Sequence, residues 1–404
     1  MSKSLRLGIY LHDLYKKNEK ITWANSDSIN FIRKLNIAKT ITLSVAVKHS
    51  SEAEIKKSAI IIEDSGIRLL PLPGWESIIS TALSLPKHLK TILRCARELS
   101  NSSDLIWLRT PSVVAPFFYY FARRRKIPVI LHIPGNILKT ARREKFGGIK
   151  LVIAKLMGWL IHFSTRWMSR GSLVFVTGCE LHNLFTSSLH IAHLLDDIRI
   201  TQKDLVLPKK THGLARKLLF VGQLAQGKGV DLLLKVFTNL TVEFPNLQLF
   251  IAGSGPLLDE VKHTVKRLNM EKNVNVLGFV PPSETLKKLY RGCDIFVQPS
   301  DFYGEGFPRV ILEAWASGLP VVATKLGGVP YRVSHGLNGL LASPGDEEEL
   351  REMLRKAIIN PDLRYRLALG GLKKVASLTF ENQAKVVKDL IVKYFPFLKL
   401  SRTQ

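Results

Sequence analysis

The chain has 404 residues, 46% of them apolar and 23% charged, so we expect a globular protein with two domains. Its three cysteines, Cys95, Cys179 and Cys293, lie far apart and form no C-x-x-C pair. They argue against a zinc site or a disulfide framework and fit a reducing cytoplasm. The net charge of +26 predicts attraction to anions such as phospholipid headgroups, lipid pyrophosphates or nucleic acid.

Apolar runs of strand length alternate with helical patterns along the first half of the chain. The predicted strands there are Leu5–Leu11, Ile41–Val47, Leu105–Leu108, Pro128–His132 and Leu173–Val176. This alternation is typical of a parallel sheet flanked by helices. The N-terminal segment MSKSLRLGIYLHD becomes polar too soon after its first strand to be a signal peptide.

Basic residues are concentrated in this half, above all between Arg123 and Arg170. That stretch holds 12 basic residues and one acidic residue, Glu144. Within it, Ile149–Met168 is apolar but interrupted by charges, so we do not expect it to span a membrane. It suits a helix on the membrane surface, and the alternative is a core helix with an exposed basic edge. The residues predicted to face an anionic membrane are Arg142, Arg143, Lys145, Lys150 and Lys155.

The second half repeats the alternation of strands and helices. Its predicted strands are Lys217–Val221, Leu247–Ile251, Val274–Leu277, Ile295–Gln298 and Val321–Ala323. We therefore predict two doubly wound α/β domains, residues 1–205 and 206–380. Residues 381–404 are predicted as a C-terminal helix that packs back on the N-terminal domain. In open α/β sheets ligands bind beyond the carboxyl ends of strands, so the site is expected there.

Two glutamates follow the predicted strand Ile295–Gln298, in DFYGEGFPRVILEAWASGLPVVAT. Glu305 lies in a glycine loop, and Glu313 lies over a turn into a helix that begins near Pro308. The N-terminus of that helix can hold a phosphate, and the two carboxylates can accept hydrogen bonds from sugar hydroxyls. The alternative is that Glu313 only stabilises its helix and Glu305 is loop surface.

Three further glycine turns follow strands in this half. The first, GQLAQGKG, begins at Gly222 and places Lys228 before a helix, where a lysine can hold a pyrophosphate. The others are AGSGP, which contains Gly255, and GGVP, which ends at Pro330. Four such turns in one domain indicate one shared crevice.

With these motifs, residues from about Lys217 to Pro344 resemble the family 4 retaining glycosyltransferases of the GT-B fold. GLNGLLASPGD adds to the resemblance, and the E-x7-E arrangement of Glu305 and Glu313 is its most specific element. The resemblance implies two Rossmann-like domains that face a central cleft. It implies a donor site for a nucleotide diphosphate sugar in the second domain and an acceptor site in the first.

The resemblance also implies residue roles. Glu313 would bind the donor ribose, and Lys228 would neutralise the pyrophosphate. Glu305 would bind hydroxyls of the donor sugar, with the backbone of Gly306 and Phe307 beside it. The family usually has an arginine after the glycine of the first turn, where this chain has Gln223, which can donate a hydrogen bond only without charge assistance.

The first half matches the family less closely. The region after the first strand, LHDLYKKNEKITW, has no glycine, and His12 and Asp13 occupy the turn as acceptor-binding candidates. His132, at the end of a strand, resembles the family's cleft histidine that reaches the donor sugar, with a structural histidine as the alternative. Asn136, in the same turn, is a further acceptor candidate.

The resemblance implies a retaining, metal-independent transferase without cofactors, and we expect it to act in cell-surface polysaccharide or glycolipid synthesis. The predicted partners are a nucleotide sugar, a glycan or lipid-linked acceptor and an anionic membrane surface. The protein is expected in the cytoplasm, attached peripherally to the inner face of the cytoplasmic membrane. The alternatives are a GT-B epimerase and a non-catalytic basic protein that binds membrane or, less in keeping with the motifs, nucleic acid.

Overall fold

The computed structural model describes residues 5–17, 22–24, 27–49, 60–62, 65–75, 78–137, 149–187, 191–196, 198, 200–301 and 307–400. The chain forms two compact units. The N-terminal unit comprises Met1–Arg199 and Gln383–Gln404, and the C-terminal unit comprises Ile200–Asn382. The division therefore falls after Arg199 rather than after residue 205. In the C-terminal unit, Val206 N donates to Ala316 O at 2.8 Å, which ties the start of the predicted second domain to that unit.

The N-terminal unit is built around a largely parallel sheet. Its strands are β1 (Arg6–Lys17), β2 (Thr22–Ala24), β3 (Thr40–His49), β4 (Ile60–Ile61), β5 (Ile67–Pro73), β6 (Leu105–Arg109), β7 (Val129–Ile133), β8 (Leu173–Val176) and β9 (Ala192–Leu194). The parallel strands are ordered β5-β3-β1-β6-β7-β8-β9, and β2 and β4 extend the end of β1 in antiparallel pairing. The strand order therefore reverses between β1 and β6, which is where such sheets bind ligands.

Helices cover the faces of this sheet. They are α1 (Asp27–Lys34), α2 (Ile78–Asn101), α3 (Ala115–Arg124), α4 (Ile149–Ser169) and α5 (Cys179–Phe185). Strands β7 and β8 are buried along their whole length, as expected for a sheet covered on both faces. No helix among the described residues is long and apolar enough to cross a bilayer.

The C-terminal unit has a wholly parallel sheet in the order β12-β11-β10-β13-β14-β15. Its strands are β10 (Lys217–Val221), β11 (Gln248–Ala252), β12 (Val274–Gly278), β13 (Ile295–Gln298), β14 (Val321–Thr324) and β15 (Leu340–Ala342). Its helices are α6 (Val230–Glu243), α7 (Leu258–Arg267), α8 (Glu284–Arg291), α9 (Arg309–Ala316), α10 (Glu347–Ile359) and α11 (Pro361–Ala376). The strand order reverses between β10 and β13.

The last helix, α12 (Phe380–Tyr394), begins in the C-terminal unit and continues in the N-terminal unit. Its Tyr394 hydroxyl lies 3.1 Å from His193 Nε2 on β9. The C-terminal segment from Gln383 onward thus groups with the N-terminal unit, as the sequence predicted.

The ten predicted strands are present, and the doubly wound α/β prediction is confirmed. The first strand, however, continues to Lys17 instead of ending at Leu11. The predicted turn at His12 and Asp13 is therefore wrong: both residues lie within β1, at an irregularity in its pairing with β3 between Tyr10 and Leu14. Strand β5 was not predicted because its sequence, IRLLPLP, contains two prolines. It lies at the edge of the sheet, where among the described strands it pairs with β3 alone. Pro71 and Pro73 are tolerated there because the missing N–H groups are not needed by a second neighbouring strand. Strand β15 has only three residues, too few for a clear alternating pattern.

Candidate functional site

In the C-terminal unit the loops that follow β10 and β11 are in backbone contact. Gly222 N donates to Ala252 O and Leu224 N donates to Ser254 O, each at 3.0 Å. A Cβ on Gly253 would lie 1.8 Å from Gly222 O, so only glycine permits this approach. Gly255 likewise leaves room for Leu224 O, which would lie 2.3 Å from its Cβ.

The loop after β10 also contacts the loop after β13, across the reversal of strand order. Gly229 has φ +68°, and a Cβ there would lie 1.9 Å from Pro299 O. Asp301 N donates to Gly227 O at 3.2 Å. Gly229 is the N-cap of α6, so these contacts fix the N-terminus of the helix at the switch point, where the strand order reverses between β10 and β13. The half-buried Lys228 precedes it, as predicted, beside free N–H groups that suit an anion.

A fourth turn, after β14, closes on Phe307. A Cβ on Gly328 would lie 2.9 Å from Phe307 N, and the guanidinium of Arg332 stacks on the Phe307 ring at 5.0 Å. Arg332 is 6% exposed. The sequence does not single out this arginine, because neither its spacing nor its neighbours distinguish it from a surface cation. The structure thus brings the predicted glycine turns after β10, β11 and β14 into contact with one another or with the described ends of the loop after β13.

Glu313 lies on α9, which begins directly after Pro308, close to where the sequence predicted it. Its carboxylate is half-buried, and Tyr290 OH on α8 donates to its Oε2 at 3.0 Å. Tyr290 is 2% exposed, and burial raises the pKa of its phenol well above the usual value, with a further contribution from Glu313. The phenol therefore stays a donor at neutral pH and orients the carboxylate.

Buried polar side chains also lie at the carboxyl end of β13. Gln298 Nε2 donates to Ser300 Oγ at 2.8 Å, and Thr324 Oγ1 donates to Ser300 O at 2.5 Å. These three residues are at most 3% exposed. Their hydrogen bonds hold the start of the loop that leads toward Glu305. Gln223, by contrast, is exposed in the turn after β10.

In the N-terminal unit a cavity of about 340 Å³ lies beside the middle of β1 and the segments that follow β6 and β7. His12 borders it together with Tyr10, Trp75 and Ser112. Asp13 lies beside His12, with its Oδ2 3.9 Å from Arg109 Nη1. Desolvation lowers the pKa of His12, Asp13 partly offsets this shift and Arg109 adds to it, so the imidazole is neutral at pH 7.

The two remaining N-terminal candidates differ in accessibility. Asn136 is half-buried next to cavity-lining Gly135, and its Nδ2 donates to Glu180 Oε1 at 3.0 Å. His132 is 1% exposed inside β7, with its ring edge-on to Trp107 at 5.9 Å. It does not line the cavity, and its predicted catalytic role stays a prediction.

Several predicted residues lie outside the described part of the chain. These are Glu305, Gly306, Arg142, Arg143 and Lys145, and nothing is described of the Lys150 side chain either. Lys155 is exposed on α4. Among the residues described, no three His, Cys, Asp or Glu side chains form a group that could hold a metal ion.

Residues 208–373 match the family model described as glycosyl transferases group 1. An uncharacterized glycosyltransferase of Haemophilus influenzae is 37% identical over 174 residues, which are 42% of this chain and 48% of that protein. Mannosylfructose-phosphate synthase of Agrobacterium fabrum is 36% identical over 168 residues, which are 40% of this chain and 36% of that protein. The chain thus spans about half or less of the length of these relatives.

The similarity to a solved structure extends further along the chain. The crystal structure of Anabaena HepE in complex with UDP has a TM-score of 0.70 at 15% identity, and the match covers 96% of this chain and 100% of that chain. At this identity the likeness shows the fold. By sequence, residues 208–373 are similar to the glycosyl transferases group 1, and by structure the chain has the GT-B fold.

Proposed function

We propose that this protein is a retaining glycosyltransferase that moves a sugar from a nucleotide diphosphate sugar to a glycan or lipid-linked acceptor. The observation that carries the proposal is the contact of Gly229 with the Pro299 carbonyl. It sets Lys228 and the N-terminus of α6 at the switch point of the sheet that also carries Glu313. The UDP complex of HepE supports a nucleoside diphosphate as the ligand class.

In this proposal Lys228 and the N-terminus of α6 hold the pyrophosphate, and Glu313, oriented by Tyr290, binds the ribose. Glu305 and the backbone of Gly306 and Phe307 hold the donor sugar. Helix ends and Lys228 stabilise the leaving phosphate, so no metal is required.

The transfer step breaks the bond between the anomeric carbon and the phosphate oxygen and forms a bond from that carbon to the acceptor oxygen. The acceptor proton passes to the leaving phosphate oxygen on the same face, which retains the configuration. No side chain needs to act as a nucleophile.

We place the acceptor in the N-terminal unit, at the cavity bordered by His12, with Asp13 and Asn136 close by. The neutral imidazole of His12 can accept a hydrogen bond from an acceptor hydroxyl. Because the N-terminal unit is basic, we place the protein at the anionic inner face of the cytoplasmic membrane. There it would act in the synthesis of a cell-surface polysaccharide or glycolipid.

A thermal-shift screen against UDP, GDP and ADP and their common sugar conjugates tests the donor class. A ligand at one hundred times its Kd should stabilise the protein by about 2.7 kcal/mol. Lys228→Ala should weaken this effect, whereas Lys235→Ala, at an exposed position on α6, should leave it unchanged. If no nucleotide stabilises the protein, the proposed donor site is wrong.

Mass spectrometry of the products then tests the reaction. Sugar attached to an added lipid or glycan acceptor supports transfer. Conversion of the nucleotide sugar to its epimer, without an acceptor, would assign the protein to the epimerases instead.

A further inference from the structure

Helix α4 is apolar on two opposite faces. On one face Ile161, Thr165 and Met168 are at most 3% exposed and pack into the N-terminal unit. The other face carries six large apolar side chains that are 46–64% exposed: Val152, Leu156, Trp159, Leu160, Phe163 and Trp167. An apolar helix face is normally buried, and in the part of the chain that the structure describes these six side chains of α4 stay exposed.

The six exposed side chains form one continuous stripe. At 3.6 residues per turn their spacings of four, three, one, three and four place them within an arc of roughly 100°. Trp159 and Phe163 stack with ring centroids 5.9 Å apart, and Trp167 contacts Tyr119 edge-on at 5.0 Å. Single exposed apolar residues are ordinary, but a contiguous stripe of this length marks a surface that binds something apolar.

Cations flank this stripe. Lys155 and Arg166 are exposed along one side of it, and Arg170 is exposed beyond the end of the helix. Exposed Arg123 and Arg124 lie at the end of α3, whose Tyr119 contacts the stripe. The sequence from Ile149 to Ser172 contains no acidic residue. The surface therefore combines an apolar, tryptophan-bearing face with a positive border.

We infer that the outer face of α4 inserts into the interface of an anionic lipid bilayer, with the helix axis parallel to the membrane. Trp159, Phe163 and Trp167 lie at the boundary between headgroups and acyl chains, where aromatic side chains are favoured. Lys155, Arg166 and Arg170 lie among anionic headgroups. This docking mode goes beyond electrostatic adsorption of a basic domain, and it does not depend on the transfer reaction.

The charge distribution favours lipid over a second copy of this chain. A symmetric dimer through the stripe would place the cations of one copy against those of the other, in a chain of net charge +26. A bilayer containing anionic lipid matches the apolar stripe and its positive border at the same time.

Vesicle co-sedimentation of the full chain tests this inference, with phosphatidylcholine vesicles that contain or lack phosphatidylglycerol. The variant Trp159→Ser/Phe163→Ser/Trp167→Ser should lower binding by at least about tenfold at both low and high salt. Lys155→Gln/Arg166→Gln/Arg170→Gln should lower binding mainly at low salt, because it removes only the screened contribution. The matched control is Leu207→Ser/Val242→Ser, which removes apolar side chains exposed by 76% and 85% in the C-terminal unit and should bind like the parent.

Quenching by brominated lipids gives a second readout. The parent protein should show quenched tryptophan fluorescence, and Trp159→Phe/Trp167→Phe should lose most of that quenching while still binding vesicles. Unchanged binding of the triple serine variant would overturn the inference. A dimer of the parent protein, detected by light scattering and absent in the triple serine variant, would also overturn the inference, since the stripe would then bind a second copy.

Thermal unfolding and the nucleotide thermal shift are measured on every variant. Since the stripe is exposed, the variants should unfold like the parent and keep the shift. A chain that binds vesicles but no nucleotide contradicts the proposed transferase and leaves the membrane surface intact. A chain that binds nucleotide but no vesicle contradicts the membrane surface and leaves the proposed transferase intact.

Discussion

The two units reverse their strand order at equivalent places, between β1 and β6 and between β10 and β13, yet they build different surfaces there. In the C-terminal unit the loops beyond the reversal approach through glycines, as at Gly229 and Gly253, and leave backbone N–H groups at a helix end. In the N-terminal unit side chains such as His12 and Ser112 border an open cavity. The shared topology fixes where a ligand binds, and the loop residues decide its chemistry.

The units also differ in their surfaces. The C-terminal unit pairs many of its exposed cations, as in Arg355–Glu243 and Lys325–Glu349. In the N-terminal unit exposed cations border an apolar stripe on α4. This contrast is consistent with our proposal, which places the nucleotide in one unit and the acceptor and membrane in the other. Variants that disable one unit and spare the other test the assignment directly.

The largest effect is expected from Gly229→Ala. Its Cβ would lie 1.9 Å from the Pro299 carbonyl oxygen at a positive φ, so the loops after β10 and β13 must move apart. We expect a loss of about 3 kcal/mol or more in the free energy of unfolding of the C-terminal unit, together with loss of nucleotide binding. Urea unfolding measures the first and calorimetry the second, while vesicle binding should persist.

Gly278→Ala is the matched control for this variant. Gly278 has φ +66°, nearly the φ of Gly229, but no atom lies within 4 Å of its Cβ position. Its substitution should cost only the backbone strain, about 1–2 kcal/mol. Equal costs for the two variants would mean that loop contact does not hold the site together.

Glu313→Ala should weaken nucleotide-sugar binding by about 1.5–3 kcal/mol, since the ribose hydroxyls lose a charged hydrogen-bond partner. Tyr290→Phe should weaken it less, because the carboxylate remains and loses only the donor at 3.0 Å. Titration calorimetry measures both variants. Unchanged affinity in a folded Glu313→Ala protein would remove Glu313 from the donor site.

Glu305→Ala should lower turnover more than it lowers binding of the bare nucleoside diphosphate, since its proposed contacts are with the donor sugar. Comparing calorimetry of the diphosphate with kinetics of the sugar conjugate separates the two effects. An equal loss in both would contradict the position assigned to Glu305.

Stability at alkaline pH should fall because each unit buries a tyrosine whose pKa is raised mainly by desolvation, Tyr10 in one and Tyr290 in the other. The unfolded chain loses these protons near pH 10, whereas the folded chain keeps them. The stabilisation is therefore complete below pH 10 and is lost as the pH rises further, at about 1.4 kcal/mol per pH unit for each group.

Tyr10→Phe and Tyr290→Phe should each reduce the loss of unfolding free energy of their own unit at alkaline pH. Urea unfolding measures this loss over roughly one pH unit on either side of the usual pKa of a phenol, about 10. Tyr331→Phe, at a residue that is 53% exposed, controls for removal of a phenol. If neither Tyr10→Phe nor Tyr290→Phe changes the slope of the unfolding free energy against pH, the buried tyrosines do not cause the alkaline loss of stability.

The smallest effect is expected from Gln223→Arg, a gain of about 1 kcal/mol in nucleoside diphosphate binding. A guanidinium in the turn after β10 can donate two charge-assisted hydrogen bonds to phosphate, and the gain should shrink with salt. Gln226→Arg, an exposed glutamine in the same turn, is the control for added charge. Equal gains would mean that Gln223 does not face the phosphates.

The sequence by itself determined the elements whose signals are local. Strands β8, β10 and β13 have the predicted ends because short apolar runs with polar or glycine boundaries specify them. The glycine turns were predictable for the same reason, since a glycine after a buried strand reports a local backbone requirement. Two units and their α/β class follow from the repeat of that pattern.

Only the tertiary structure decided which distant residues meet and which faces stay exposed. Tyr290 reaches Glu313 from another helix, and Arg332 stacks on Phe307 from the loop after β14. His132 has the sequence context of a site residue, but β7 holds it inside the sheet beside Trp107. Both faces of α4 are apolar, and periodicity alone cannot say which packs inward, because that depends on the shape of the unit beneath the helix and not on the helix itself.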